Sequence, residues 1–404
     1  MKGVTPQLTC PALLGGSSGT LGGDKLSMED FMSPIALHGT RFIMLRLLML
    51  CVFLAQNLGA QQTLKGVVRG NVVDDSTNLS LPSTNIFIAN STIGTFTDST
   101  GRFQIRDVPY GIYKIVASIV GHVPQIVTVH ITDTAANNIV FRLRLQNIQL
   151  SPIDIEGGDP KEWKRNLQKF LTEFFGSTSN AEECKLLNPE VLDFAVDEKT
   201  SEFVATVREP LVIENNALGY RLYYYLKYFK RTKRTLQFFG EARFDRLETR
   251  NAEESSRWKV NREDTYYGSR RHFFSTLFHN LSKEKGFNVK SISKKQNQQP
   301  DFYRIETGSY LNIPASYRTE ETVNPEDFVA DGASIYEKKL SFPGSIQVTF
   351  SKGLFNSQIS QVELEQTSIT IYSNGEIAEP LGVLTSGYWS TQRAAELLPS
   401  DYEP

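Results

Sequence analysis

The chain is poor in the residues that metal and redox chemistry use. Its 404 residues hold three cysteines, Cys10, Cys51 and Cys184, and five histidines, His38, His122, His130, His272 and His279. None stands at metal-ligand spacing of the CxxC or HExxH kind, so no metal is expected. No P-loop or dinucleotide fingerprint occurs, and the one GxSxG string, Gly15 to Gly19, precedes the leader, so the expectation is a non-enzyme with no cofactor and no catalytic residue. There is no excess of either charge: 43 basic residues face 45 acidic ones, a net of −2. That balance gives no reason to expect nucleic acid or an anionic membrane as a partner. The three tryptophans, Trp163, Trp258 and Trp389, all lie beyond residue 160.

What is present begins with a leader. Met44 to Ala60 reads MLRLLMLCVFLAQNLGA, with Arg46 as a short positive region, Leu47 to Ala55 as an apolar one and Gly59-Ala60 as a small-residue site. This is the outline of a secretory signal peptide cut between Ala60 and Gln61. The apolar part falls short of the roughly 20 residues that span a bilayer, so no transmembrane segment is expected in the mature chain. Leu50 before Cys51 is not the small residue that a lipid-anchor site wants. Residues 1–43 precede the leader without periodicity and read as an over-extended frame or a disordered extension, with the true start at Met44. Removal of residues 1–60 leaves Cys184 as the sole thiol and shifts the net charge only to −3. One thiol forms no internal disulfide, so the mature fold rests on its core. An exported protein of the periplasm, outer membrane or cell surface is expected.

From Leu64 to about Ile155 the pattern is all-β, with seven short alternating runs separated by turn signals. The clearest part, Gly94 to Gly121, places the turn Asp98-Ser99-Thr100-Gly101 between alternating runs, then a corner at Pro109 and Gly111. Residues 64–155 closely resemble the carboxypeptidase regulatory-like domain. The resemblance rests on Gly66-Val67-Val68, Pro82, Thr95 with Asp98, Gly101 and Phe103, Gly111 with Tyr113, and Gly121-His122. It implies a transthyretin-like (prealbumin-like) β-sandwich, of a kind frequent in exported proteins of Bacteroidetes. It also implies carbohydrate binding, because related sandwiches are grouped with starch-binding-like folds. Docking to an outer-membrane protein is implied too, because similar sandwiches precede the plug of TonB-dependent receptors. Phe103 and Tyr113 read as core aromatics, and His122 as a loop-packing residue. The family shares its name with zinc carboxypeptidases, but only their accessory sandwich has a counterpart here.

After a linker at 157–160, residues 160–404 form a second, α+β domain of unassigned function, making the chain multidomain. Trp163, Leu167, Phe170, Leu171 and Phe174 make one apolar helix face, ended by Gly176. Hairpins follow at 191–207 and 220–247, and the strand Tyr220 to Phe229 is aromatic on both faces, as befits a strand covered on both sides. A helical region is expected over 253–285, strands near 345–372, and a terminal helix over 391–398. The densest polar-aromatic cluster runs from Trp258 to His272. Trp258, Arg262, Tyr266, Arg270 and His272 are therefore the ligand-binding candidates, against the plainer reading of Arg–Glu pairs with Glu263 and Asp264. His272 and His279 read as surface or boundary residues. The expected function is an exported, non-enzymatic binding protein of the cell envelope whose sandwich takes carbohydrate or docks a protein. The alternatives are a structural envelope-assembly protein and an accessory protein of a hydrolase.

Overall fold

A computed structural model describes residues 64–132, 137–146, 160–197, 199–294, 318–351 and 357–404. The leader, its Ala60/Gln61 junction and the 157–159 part of the linker lie outside them. Thr63–Pro404 is one compact unit. It is mainly β-sheet with few helices, a sandwich followed by an α+β region.

The sandwich sets one sheet of β1 (Lys65–Asp74), β4 (Arg102–Pro109) and β7 (Asn137–Leu143) against another of β2 (Asn85–Ile88), β3 (Gly94–Phe96), β5 (Gly111–Ser118) and β6 (Gln125–Ile131). Their inward residues fill one core: Val68 and Val72 face Ile86, Ile115 and Ile131, with Phe103 and Phe141 packed at 6.0 Å. The period of two in the sequence puts those residues on one face. Asp98 accepts the Thr100 and Arg102 amides through Oδ1, an Asx-type turn that leads into β4. Gly101 sits there at φ +74, where a Cβ would meet the Val72 carbonyl at 2.7 Å, so only glycine fits. His122 does more than pack: its Nε2 lies 3.2 Å from Asp74 Oδ2.

A third sheet holds β8 (Cys184–Leu186), β9 (Leu192–Asp197), β10 (Glu202–Val207), β11 (Leu211–Asn215), β12 (Tyr220–Arg231) and β13 (Leu236–Arg246) and builds the second core. Helix α1 (Pro160–Phe175) lies on it with the apolar stripe inward. Phe170 and Phe174 are fully buried and meet Phe229 and Tyr224 of β12 at 4.8 and 5.3 Å. Burying two phenylalanines is worth about 2–3 kcal/mol each. On the opposite face of β12, Tyr225 packs on Phe87 of the sandwich at 5.4 Å. The strand is thus covered from both sides, which explains its two aromatic faces.

The expected helix over 253–285 is two helices, α2 (Ala252–Tyr266) and α3 (Arg270–Phe278), broken at Tyr267-Gly268-Ser269. Asn251 caps α2 by accepting the Glu254 amide, and Ser269 caps α3 by accepting the His272 amide. The break is enforced by Gly268 at φ +80 and by the Trp389 indole, which donates to the Gly268 carbonyl at 2.7 Å. Helix α3 lies in a third core. Around it are a sheet of β14 (Phe287–Lys294), β15 (Arg318–Val323), β18 (Ser345–Ser351), β19 (Ser357–Leu364) and β21 (Val383–Gly387), and a smaller one of β16 (Val329–Asp331), β17 (Glu337–Leu340) and β20 (Ile369–Tyr372).

The expected helix over 391–398 does not form. A one-turn α-helix at Tyr388–Thr391 and a 3-10 turn at Ala394–Glu396 replace it. Trp389 enters the third core while Ala394 and Ala395 enter the second, and one straight helix would not serve both. Past them, Asp401 accepts the Thr92 amide of the sandwich at 2.8 Å.

Candidate functional site

Asn90, in the loop between β2 and β3, is the residue that ties the three cores together. Its backbone is left-handed, at φ +59, a conformation asparagine tolerates. Its amide donates to the Ala242 carbonyl at 2.7 Å, and its Oδ1 accepts the Ala242 amide at 2.9 Å. Its Nδ2 donates to Glu376 Oε1 at 3.0 Å and more weakly to Glu241 Oε2 at 3.5 Å. Its carbonyl accepts the Ser400 amide. Beside it Glu241, with a nearly buried carboxylate, is held between Lys114 of β5 and Lys227 of β12, each 3.2 Å away.

Below this knot lies a cavity of about 700 Å³, within the range of small-ligand sites. Ile112 to Lys114 of β5 and Thr128 of β6 wall it on the sandwich side. Leu236 to Glu241 of β13, Ser269 to Arg271 at the start of α3, residues 375–385 before and within β21, and Trp389 to Leu398 form much of the rest. The wall is mixed: Leu236, Phe238, Leu381 and Leu384 are apolar, while six basic and six acidic residues also line it. No histidine or cysteine is among the lining residues, and no cluster of potential metal ligands occurs among the described residues.

The carboxylates here are differently placed. Glu173 receives both Arg231 and Arg393 at 3.1 Å. Glu396 accepts from Thr178, Asn180 and Thr265. Glu376 is enclosed, and burial, with the Glu241 charge adding to it, outweighs Asn90, Arg271 and Lys114 and raises its pKa. Burial first, then the nearby Glu376 and other acidic groups, pushes the Tyr113 phenol up to about 12.

The sequence candidates divide. Trp258 is buried, donates to the Asn216 carbonyl at 2.7 Å and fills the space opposite Gly219. Arg262 donates to the Leu218 carbonyl at 2.7 Å and lies 4.3 Å over the Tyr220 ring. Both are used in joining α2 to the second core. The expected Arg–Glu pairs do not account for these arginines: Arg257 reaches Glu183, and Arg262 and Arg271 go to backbone carbonyls. His272 is 3 % exposed rather than at the surface; its Nδ1 accepts the Gly268 amide at 3.1 Å. Burial first, helped by Lys285, lowers its pKa to about 4, so it is a neutral acceptor at neutral pH. Tyr266 and Arg270 alone of the five line the cavity. Asn90, Glu241 and Glu376 have no signal in sequence, since they come together only in the fold.

Comparison with known proteins agrees with the reading of the sandwich. Residues 68–153 match the family model described as CarboxypepD_reg-like domain, and this segment of the chain is such a domain. No curated protein matches the chain. Solved structures with some likeness include a streptococcal ancillary pilin, at 19% identity over 20% of this chain and 30% of that one, TM-score 0.17. Another is a Bacteroides uniformis protein described as carbohydrate-binding, at 7% identity over 76% of this chain and 98% of that one, TM-score 0.17. A third is a Bacteroides fragilis membrane-associated protein of unknown function, at 9% identity over 80% and 95%, TM-score 0.17. This chain spans less than a third of the pilin's length, and likeness at such TM-scores carries no argument.

Proposed function

We propose that the chain is an exported, non-enzymatic binding protein of the cell envelope, and that the cavity beneath its sandwich is the binding site. The observation that carries the reading is the cavity itself: about 700 Å³, roofed by β5 and β6 of the CarboxypepD_reg-like domain and floored by the α+β region. Small-ligand sites favour the seams between structural units, and ionisable groups with shifted pKa values cluster at functional sites. Carbohydrate is the first ligand class to test, because polar hydroxyl-bearing ligands suit a wall of carboxylates, amides and aromatic edges. Glycan-array binding by the full chain, and its weakening in Leu384→Trp, which narrows the cavity, supports this reading. Array silence removes it.

A second reading, docking of an envelope protein, is favoured by one end of the sandwich. Val120, Val123 and Leu145 are 95%, 50% and 56% exposed there. Backbone bonds from Val123 to Arg144 and from Gln146 to Gly121 hold them side by side. Cross-linking to an outer-membrane protein, lost in Val120→Asp, supports docking; recovery unchanged by that substitution speaks against it.

A further inference from the structure

Two adjacent arginines open α3 and are used differently. The Arg271 guanidinium is consumed by structure: it donates to the carbonyls of Asn374, Pro399, Ser400 and Tyr402 at 2.6–3.3 Å. Arg270 is bonded only through its backbone amide, to Gln392 Oε1 at 3.4 Å. Among the described residues its guanidinium has no hydrogen bond and no ion pair, although it lines the cavity. More than a third of the residue is reachable by solvent, and it lines the cavity, so the guanidinium is open to a ligand there. Glu173, Glu241 and Glu396 on the same wall are already engaged. The ionisable group that acts on Arg270 is the buried Tyr224 phenol, which is neutral because burial raises its pKa.

A guanidinium that lines a cavity without a counter-ion is free to take one, and arginine keeps its proton at any working pH. An anion entering the cavity supplies that counter-ion. We infer that Arg270 is the anchor for the oxyanion, carboxylate or phosphate, of a small ligand bound in this cavity. The inference rests on the cavity being a binding site and adds the charge of its ligand. The planar guanidinium fork takes either oxyanion through two parallel bonds. Ser269 and Arg270 begin a nine-residue helix whose positive end faces the same space. Leu236, Phe238, Leu381 and Leu384 lie on the same wall to meet the carbon skeleton.

The test is calorimetric titration of the full chain with D-galacturonate, D-galactose and inorganic phosphate, in wild type, R270Q and R270K. The expected result is binding of galacturonate, phosphate or both, weakened at least tenfold in Kd, about 1.4 kcal/mol, by R270Q and less by R270K. Which of the two probes binds tells the carboxylate source from the phosphate source. R270Q leaves the melting temperature equal or higher, because it removes an unpaired charge, whereas a structural arginine would lower it. Equal binding by wild type and R270Q overturns the anchor, as does a wild type that takes neither anion. If galactose or an array glycan still binds in those cases, the cavity reading survives and only the anion falls. If no ligand of any charge binds, both fall.

Discussion

Replacing Asn90 with alanine tests whether one loop residue couples the sandwich to the rest of the chain. Three losses follow from the structure. The amide of Ala242, a residue only 1% exposed, loses its acceptor, at about 1–3 kcal/mol. Glu376 loses a donated bond worth about 1 kcal/mol. Alanine at φ +59 adds about 1 kcal/mol that asparagine avoids. The expected destabilisation is therefore about 3–5 kcal/mol. Urea unfolding followed by tryptophan fluorescence and by far-ultraviolet dichroism reads it, because all three tryptophans lie outside the sandwich while dichroism includes the sandwich. The two transitions coincide in wild type and separate in Asn90→Ala as the sandwich comes loose. Asn90→Gly keeps both hydrogen-bond losses but relieves the backbone, so it recovers about 1 kcal/mol. A shift below about 1 kcal/mol in Asn90→Ala, with coincident transitions, refutes the coupling.

Further expectations concern pH and packing. The folded Glu376 pKa is raised above 4.5, so its contribution is fully present below pH 4.5 and is lost as pH rises through the folded value. Glu376→Gln is consequently more stable than wild type at neutral pH, with the gap closing below pH 4.5; a gap independent of pH contradicts the assignment. His272 has the opposite sign. Its folded pKa is lowered from 6.5 to about 4, so stability present above pH 6.5 is lost as pH falls through about 4. The amount is about 3 kcal/mol, and His272→Gln flattens that limb of the urea-midpoint profile; an unchanged limb refutes the account. Gly219→Ala puts a Cβ 2.3 Å from the Trp258 ring at φ +70, and a loss above about 2 kcal/mol is expected in thermal melts. A neutral outcome there would place Trp258 elsewhere.

The local features are legible in sequence because local chemistry decides them. Asp98 to Gly101 makes a turn with its own side chains, and the Phe170/Phe174 stripe needs only helical period to find a core. His272 reads as a boundary residue in sequence because α3 is covered nearly all round, by Phe287, Phe350 and its own neighbours, and no polar face betrays its depth. The terminal helix is absent because tertiary demand on Trp389 and on Ala395 outweighs helical propensity. The cavity is illegible as a whole, since its wall runs from Asn90 to Leu398. Residue type alone marks Arg270 and Tyr266, without any sign that Arg270 is the arginine left unpaired.

The segment from Trp389 to Asp401 touches the third core, then the second, then Thr92 of the sandwich. It is the last of the described elements to leave the ribosome. Each earlier layer thus waits with a gap in its surface, and the cavity gains its wall at Trp389 to Leu398 only once synthesis has passed that segment. A chain ending before Trp389 would keep the Asn90–Ala242, Lys114–Glu241 and Phe87–Tyr225 contacts but lose the Asp401–Thr92 bond and the Trp389 to Leu398 part of the cavity wall. The cavity is therefore fully walled only in a chain that has been made through this segment.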